Sequence, residues 1–142
     1  MVSIKTAKTL DTLAIVHKVA GIAFSKKAEE VVLLDLKELS TLTDYYFICT
    51  CQNEPQMRAL KNAVVRALSK DGVKALRAEY MPGVRWAIID YGEIIIHIFE
   101  KAARGYYSLE RLWGDAKTIQ FKPEDFVQDA IEPDDENEDD DI

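Results

Sequence analysis

Residues 85–100, RWAIIDYGEIIIHIFE, place a histidine within a run that otherwise suits burial. His97 stands among isoleucines, with Asp90 and Trp86 upstream of it. An imidazole near a carboxylate is a common acid–base pair in hydrolases. Such chemistry also needs a nucleophile, but the sequence has no GxSxG motif, and Cys49 falls in the middle of a predicted strand. We therefore interpret His97 as a partly exposed strand residue that supports an interface.

Residue types that hold metals and cofactors are sparse in this chain. The two histidines, His17 and His97, are too few for a typical His-rich zinc site. Cys49 and Cys51 form a two-residue CxC without a second Cys or His cluster, which favours reduced core thiols on a strand. The sequence has no P-loop and no GxGxxG motif. It predicts no metal and no cofactor.

Charge divides the chain into a nearly neutral body and an acidic end. Of the 25 acids, eight lie in residues 132–142 with no base among them, which leaves 18 bases and 17 acids elsewhere. We expect one domain over residues 1–125 and an acidic, disordered tail over 126–142. A solubilising role for the tail is favoured over attraction of a basic partner. The neutral body argues against the basic footprint expected of a direct nucleic-acid binder, and we expect no sequence-specific binding of nucleic acid.

No apolar run approaches the roughly 18 residues that suggest a membrane span. The first residues, MVSIKTAKTLD, lack the apolar segment of a signal peptide. We therefore expect a cytoplasmic protein without membrane contact.

Hydrophobic periodicity predicts an amphipathic helix from Thr9 to Phe24, with Thr9 as its N-cap, and a second helix from Asn53 to Asp71. The expected buried stripe of the first helix is Leu10, Leu13, Ala14, His17, Ala20 and Phe24. Strands are predicted over 29–36, 44–51 and 73–80, followed by a hairpin within 85–100. The fold class is α+β, a mixed α/β layer fold with a sheet of about five strands and helices packed on one face.

The hairpin determines which side chains share a face. A two-residue loop at Tyr91-Gly92 pairs Trp86 with His97 and Ile88 with Ile95. One face then holds only apolar residues: Ala87, Ile89, Ile94, Ile96 and Ile98. The other face is mixed: Trp86, Ile88, Asp90, Glu93, Ile95, His97 and Phe99.

The apolar face is the expected core side. Two interpretations of the mixed face stay open. Aromatic side chains among polar groups are typical of a protein–protein contact. Alternatively, the C-terminal segment covers this face through its apolar residues: Tyr106, Tyr107, Leu109, Leu112 and Trp113.

Two stretches, one around DYYFICTCQNEPQ and the other WAIIDYGEIIIHIFE followed by YYSLERLWGDA, resemble the Iojap family, the ribosomal silencing factors known as RsfS. The resemblance covers about residues 9–117. The matching residues are Asp44, Tyr46, Phe47, Gln56, Trp86, Asp90, Tyr91, Gly92, His97, Phe99, Tyr107, Leu109, Glu110, Leu112, Trp113, Asp115 and Ala116. Cys49 to Cys51 departs from the family pattern, and the acidic tail lies outside it.

The resemblance implies binding to the large ribosomal subunit at its inter-subunit face, through the ribosomal protein numbered fourteen. Such proteins block small-subunit joining and repress translation, and organellar relatives assist large-subunit assembly. The implied fold is nucleotidyltransferase-like. The folded body lacks a Gly-Ser loop followed by an Asp-x-Asp pair, so we expect no enzyme activity. The competing hypotheses are a large-subunit assembly factor, a degenerate nucleotidyltransferase and a dimeric adaptor without a ribosomal target.

Combining the mixed face with the resemblance gives a set of partner-binding residues. The expected apolar anchors are Trp86, Phe99, Leu112 and Trp113. The expected partners of basic side chains are Asp90, Glu110 and Asp115. Tyr91 and His97 are expected to contribute hydrogen bonds. An exposed apolar patch of this kind also favours a homodimer in the free protein.

Overall fold

The structure, a computed structural model, describes residues 2–107 and 109–126, and for 2–11, 105–107 and 112 only the backbone. The helices are α1 Val2–Ser25, α2 Glu54–Lys70, α3 Lys101–Tyr107 and α4 Leu109–Leu112. The strands are β1 Glu29–Asp35, β2 Tyr45–Cys51, β3 Arg77–Met81, β4 Trp86–Asp90, β5 Ile94–Glu100 and β6 Lys117–Gln120. A 3₁₀ turn, Pro123–Phe126, follows β6.

The strands form one six-stranded sheet in the order β3-β4-β5-β2-β1-β6. The central pair, β2 and β5, is parallel, and the other neighbours are antiparallel. The mixed α+β class is therefore confirmed, with one strand more than expected. The additional strand, β6, consists of four exposed residues, KTIQ, at the sheet edge. Because none of them is buried, the strand lacks the alternation of buried and exposed residues by which a strand is predicted from sequence.

Helices cover both faces of the sheet, whereas the sequence predicted them on one. α1 and α2 pack on the larger cluster, which includes Phe47, Ile89 and Ile96. On the opposite face a smaller cluster joins Ile48 and Phe99 to residues of the C-terminal segment. The cover consists of α3 and the residues after it, through Ala103, Leu109 and Trp113, which is the interpretation of the mixed face in which the C-terminal segment covers it.

The expected stripe of α1 was wrong at Leu13, Ala14 and His17, which are exposed. It is confirmed at Ala20, and Phe24 packs partly buried against the core, whereas the side chain of Leu10 lies outside the described part of the structure. The buried residues are Thr12, Val16, Val19, Ala20 and Ala23, whereas Leu13 is 57% exposed. Apolar residues occupy nearly every side of this helix, so spacing alone did not select the buried one. The helix also begins at Val2, which places Thr9 inside it rather than at its cap.

The expected boundaries of α2 are confirmed. The Asn53 side chain accepts a hydrogen bond of 2.9 Å from the Gln56 backbone N–H, as an N-cap does. Pro55 lies in the first turn, where its missing N–H has no cost. Beyond the C-terminus, Gly72 takes a φ of +84°, a conformation in which only glycine is unstrained.

The predicted hairpin register was wrong by two residues, but the assignment of faces is confirmed. Trp86 pairs with Phe99, Ile88 with His97 and Asp90 with Ile95. The loop is centred one residue later than expected, because the Asp90 carboxylate accepts from the Gly92 backbone N–H at 2.8 Å and extends the turn. A shift of two residues preserves parity, so Trp86 and His97 still share a face.

The chain remains folded through Phe126, whose ring lies 4.6 Å from His17 and 5.5 Å from Phe24. Phe126 is 2% exposed, so the folded domain includes this residue, one beyond the expected boundary. The predicted tail from 127 onward lies outside the described residues. Among the described helices, none is long and apolar enough to cross a membrane.

Candidate partner-binding site

The mixed face carries a cluster of aromatic rings, which we call the aromatic cluster: Tyr46 of β2, Trp86 of β4, His97 and Phe99 of β5, and Trp113 after α4. The Trp86 ring lies 4.8 Å from Phe99, and Tyr46 meets His97 edge-on at 4.4 Å. Trp113 meets Tyr46 edge-on at 6.2 Å. These spacings are those of favourable aromatic pairs.

His97 is fixed by its neighbour across the hairpin. The Trp86 Nε1–H donates to His97 Nδ1 at 3.1 Å, so a neutral imidazole carries its proton on Nε2. Burial lowers the pKa of His97 to about 3, because the charged form loses its hydration. The lone pair that a general base would use is therefore already engaged, and the ring acts as a structural acceptor.

Two buried N–H groups in the aromatic cluster have no acceptor among the described residues: His97 Nε2 and Trp113 Nε1. An unsatisfied buried donor costs about 1–3 kcal/mol. The cluster is thus held by ring packing and by the Trp86–His97 hydrogen bond rather than by a complete polar network.

Arg104 anchors the C-terminal segment on this face. Its guanidinium donates to the Glu30 carbonyl on β1, to Thr50 Oγ1 on β2 at 2.8 Å, and to the Glu110 carboxylate on α4. Arg104 is 8% exposed, and one-sided removal of such a buried ion pair costs several kcal/mol. These contacts tie α3 and α4 to the sheet beside Trp113.

The predicted site residues differ in accessibility. Trp86, Asp90, Glu110 and Trp113 are partly exposed, and Asp115 is exposed. The expectation that His97 is partly exposed was wrong, because His97 is 5% exposed. Phe99, an expected apolar anchor, is 1% exposed, so both residues lie beneath the surface and support it.

Tyr91 does not lie on this surface, and Glu110 has an ion-pair partner within the chain. Tyr91 packs in the larger cluster on the opposite face, where burial raises the pKa of its hydroxyl to about 12. Glu110 already pairs with Arg104 within the chain. The side chain of Leu112 lies outside the described part of the structure.

Sequence reasoning missed Tyr46 and Arg104 as parts of the site. Tyr46 lies opposite Ile95 in the parallel β2–β5 pair, so its parity identifies the face only when the strand order is known. Arg104 gave no signal, because a single arginine in a short helix is normally solvated.

The two cysteines are buried thiols, as predicted. Cys49 and Cys51 are both fully buried and free. Burial raises the pKa of Cys49, and it raises the pKa of Cys51 to about 12. Among the described residues, no group of three His, Cys, Asp or Glu side chains is placed to hold a metal.

These features describe an α+β domain with an aromatic sheet face partly covered by its C-terminal segment. A family model, described as ribosomal silencing factor during starvation, matches residues 9–141. The chain therefore belongs to this family, the ribosomal silencing factors.

Individual relatives agree with this membership. A ribosomal silencing factor RsfS from Halalkalibacterium halodurans is 38% identical, covering 68% of this chain and 83% of the relative. The protein of that name from Bacillus subtilis is 34% identical, covering 64% of this chain and 77% of the relative. A chloroplastic Iojap protein from Arabidopsis thaliana is 29% identical, covering 83% of this chain and 49% of the relative. The names of the two bacterial relatives describe regulation rather than catalysis.

Two crystal structures share the fold. A protein from Bacillus halodurans matches with a TM-score of 0.66 and 31% identity, covering 77% of this chain and 99% of that one. A protein from Chromobacterium violaceum matches with a TM-score of 0.68 and 27% identity, covering 72% of this chain and 85% of that one.

Proposed function

We propose that this chain binds the large ribosomal subunit at its inter-subunit face, through the ribosomal protein numbered fourteen, and blocks small-subunit joining by its bulk. The observation that carries the proposal is the family match over residues 9–141, which supports a translation-repressing role at the ribosome. Silencing of this kind needs a stable contact surface and no reaction at the site.

The aromatic cluster supports the choice of surface. Trp86 and Trp113 are partly exposed and packed on buried rings, so each presents apolar area from a rigid position. Aromatic anchors of this kind dominate the energetics of protein contacts. Asp90, at the opposite end of β4 from Trp86, and Asp115, two residues after Trp113, add negative charge, which complements a basic ribosomal protein.

Sucrose-gradient sedimentation of mixed ribosomal subunits tests the proposal. The protein should reduce the joined-ribosome peak and co-migrate with the large subunit. The double variant Trp86→Ala/Asp115→Arg should weaken both effects at least tenfold, because it removes an anchor and reverses a rim charge. Ile119→Ala is the matched control, since it removes a 49% exposed apolar side chain from β6, at the far edge of the sheet.

Circular dichroism of each variant separates loss of binding from loss of fold. If wild-type protein does not change the joining of the small and large ribosomal subunits, the silencing mechanism is rejected. Equal binding by wild type and the folded double variant would reject the surface assignment while leaving the function in place.

We also propose that the free protein uses the same exposed aromatic surface to form a homodimer. Analytical ultracentrifugation should then show a concentration-dependent dimer that Trp86→Ala weakens. A monomer at all concentrations would reject this.

A further inference from the structure

A groove lies on the other side of the sheet, between the outer flank of α2 and the edge strand β3. Its volume is about 470 Å³. Three bases line it, Lys61, Arg66 and Lys70, together with the polar side chains of Asn62 and Ser69, and the rest of its wall is valine and alanine. We call this site the basic groove. Its polar side chains are all hydrogen-bond donors, and its wall contains no acid.

Helical spacing aligns the donors along the groove. Asn62, Arg66 and Lys70 follow each other at intervals of four residues, which places them on one side of α2 on successive turns. From Lys61 to Lys70 the helix advances about 14 Å at 1.5 Å per residue. The groove is therefore an elongated track of positive charge rather than a single cation.

The segment of the chain that contains α2 and β3 is richer in bases than the rest of the folded body. Residues 54–85 contain seven bases and three acids, whereas the rest of the chain up to residue 131 contains 11 bases and 14 acids. The three acids, Glu54, Asp71 and Glu79, each lie 2.6–3.8 Å from a base outside the groove. The nearly neutral total of the body therefore includes one segment with an excess of bases, and three of these bases line the groove.

We propose that the basic groove binds the phosphate backbone of ribosomal RNA when the chain is on the large subunit. This inference rests on the proposed function, which brings the chain to a surface rich in RNA phosphates. Cations arranged along a track neutralise successive phosphates and release their counterions. The lining contains no aromatic ring on which a base would stack, so the contact is to backbone and independent of sequence.

Fluorescence anisotropy with a labelled single-stranded oligouridine tests the groove without ribosomes. Three phosphate contacts predict an affinity that falls about 20-fold between about 50 mM and 200 mM salt, from a slope of about −0.7 per single-strand phosphate. In the full chain, the variant Lys61→Gln/Arg66→Gln/Lys70→Gln should lose at least tenfold in affinity and most of this salt dependence.

The matched control is Lys101→Gln/Lys117→Gln/Lys122→Gln, which removes the same charge from exposed positions outside the groove. It should bind oligouridine within about twofold of wild type, since long-range charge effects are screened at these salt concentrations. Equal loss in both triple variants would overturn the proposal, because binding would then follow net charge alone.

The acidic residues 132–142 are the competing occupant of the groove. If oligouridine binds only after their eight acids are replaced by amides in the full chain, the groove holds the tail and the RNA assignment is rejected.

Large-subunit co-sedimentation distinguishes this inference from the proposed function. In one outcome, the groove variant binds the large subunit as well as wild type does, and wild type does not bind oligouridine. This outcome rejects RNA binding by the basic groove and leaves the proposed function in place. In the other outcome, wild type binds oligouridine but does not bind the large subunit. This outcome rejects the proposed function, and it also rejects ribosomal RNA as the ligand of the groove.

Discussion

Protonation of His97 should destabilise the fold, and the structure gives both the direction and the size of the effect. The Nδ1 atom accepts the Trp86 indole N–H at 3.1 Å, so a second ring proton removes that hydrogen bond. The added charge would also lie in a site that is 5% exposed, without a described carboxylate as hydrogen-bond partner. The desolvation of this charge by burial lowers the pKa of His97 to about 3.

The sign follows from proton linkage. The unfolded imidazole titrates near 6.5 and the folded one near 3, so between these values the unfolded state binds more protons. The stability from the neutral ring is present above about pH 6.5 and decreases as the pH falls toward 3. Between pH 7 and pH 5 the loss is about 2 kcal/mol. That is a large fraction of a typical domain stability of about 5–15 kcal/mol.

Urea unfolding at pH 7 and pH 5 measures this effect. The decrease in unfolding free energy between the two pH values should be about 2 kcal/mol smaller in His97→Gln than in wild type, because glutamine does not titrate. His17→Gln is the matched control, since it removes the other imidazole, which is exposed on α1. An identical pH dependence in wild type and His97→Gln would refute the reasoning.

Three further predictions test the fold. Asn53→Ala should lower the unfolding free energy by about 1 kcal/mol, measured by urea denaturation, because it removes the N-cap of α2. Cys49 and Cys51 should react with a thiol reagent only at the rate of unfolding, and immediate labelling of the native protein would contradict their burial. Leu13→Ala should change the unfolding free energy by less than about 0.5 kcal/mol, whereas Val19→Ala should lower it by more than about 1 kcal/mol. The reverse order would restore the stripe expected from the sequence.

The sequence predicts a structural feature correctly where a local pattern of residues permits only one conformation. Asn53 and Gly72 mark the ends of α2, because a capping side chain and a left-handed residue are each needed there. The separation of Trp86 from Ile89 onto opposite faces follows from strand alternation, which no register shift of two residues alters.

Features that depend on distant contacts were not predictable in the same way. Leu13 and Val16 are equally apolar, and only the docking of α1 on the sheet buries the second and exposes the first. The hairpin register depends on the Asp90 side chain, which extends the turn by accepting from Gly92. The position of Arg104 beneath the C-terminal segment requires β1 and β2 to be adjacent, which the spacing of its own helix does not specify.

The two interpretations of the mixed face apply to two layers of side chains, one buried and one partly exposed. Phe99 is buried in a cluster with Ala103 and Leu109 of the C-terminal segment, as the intramolecular interpretation requires. Trp86 and Trp113 keep exposed area, as a partner contact requires. The larger core cluster lies on the opposite face with α1 and α2, so it does not depend on these rings. Replacing the partly exposed ring of Trp86 or Trp113 therefore removes contact area on the face opposite the larger core cluster. This separation explains how one side of the sheet carries an exposed apolar patch while the other side maintains the fold.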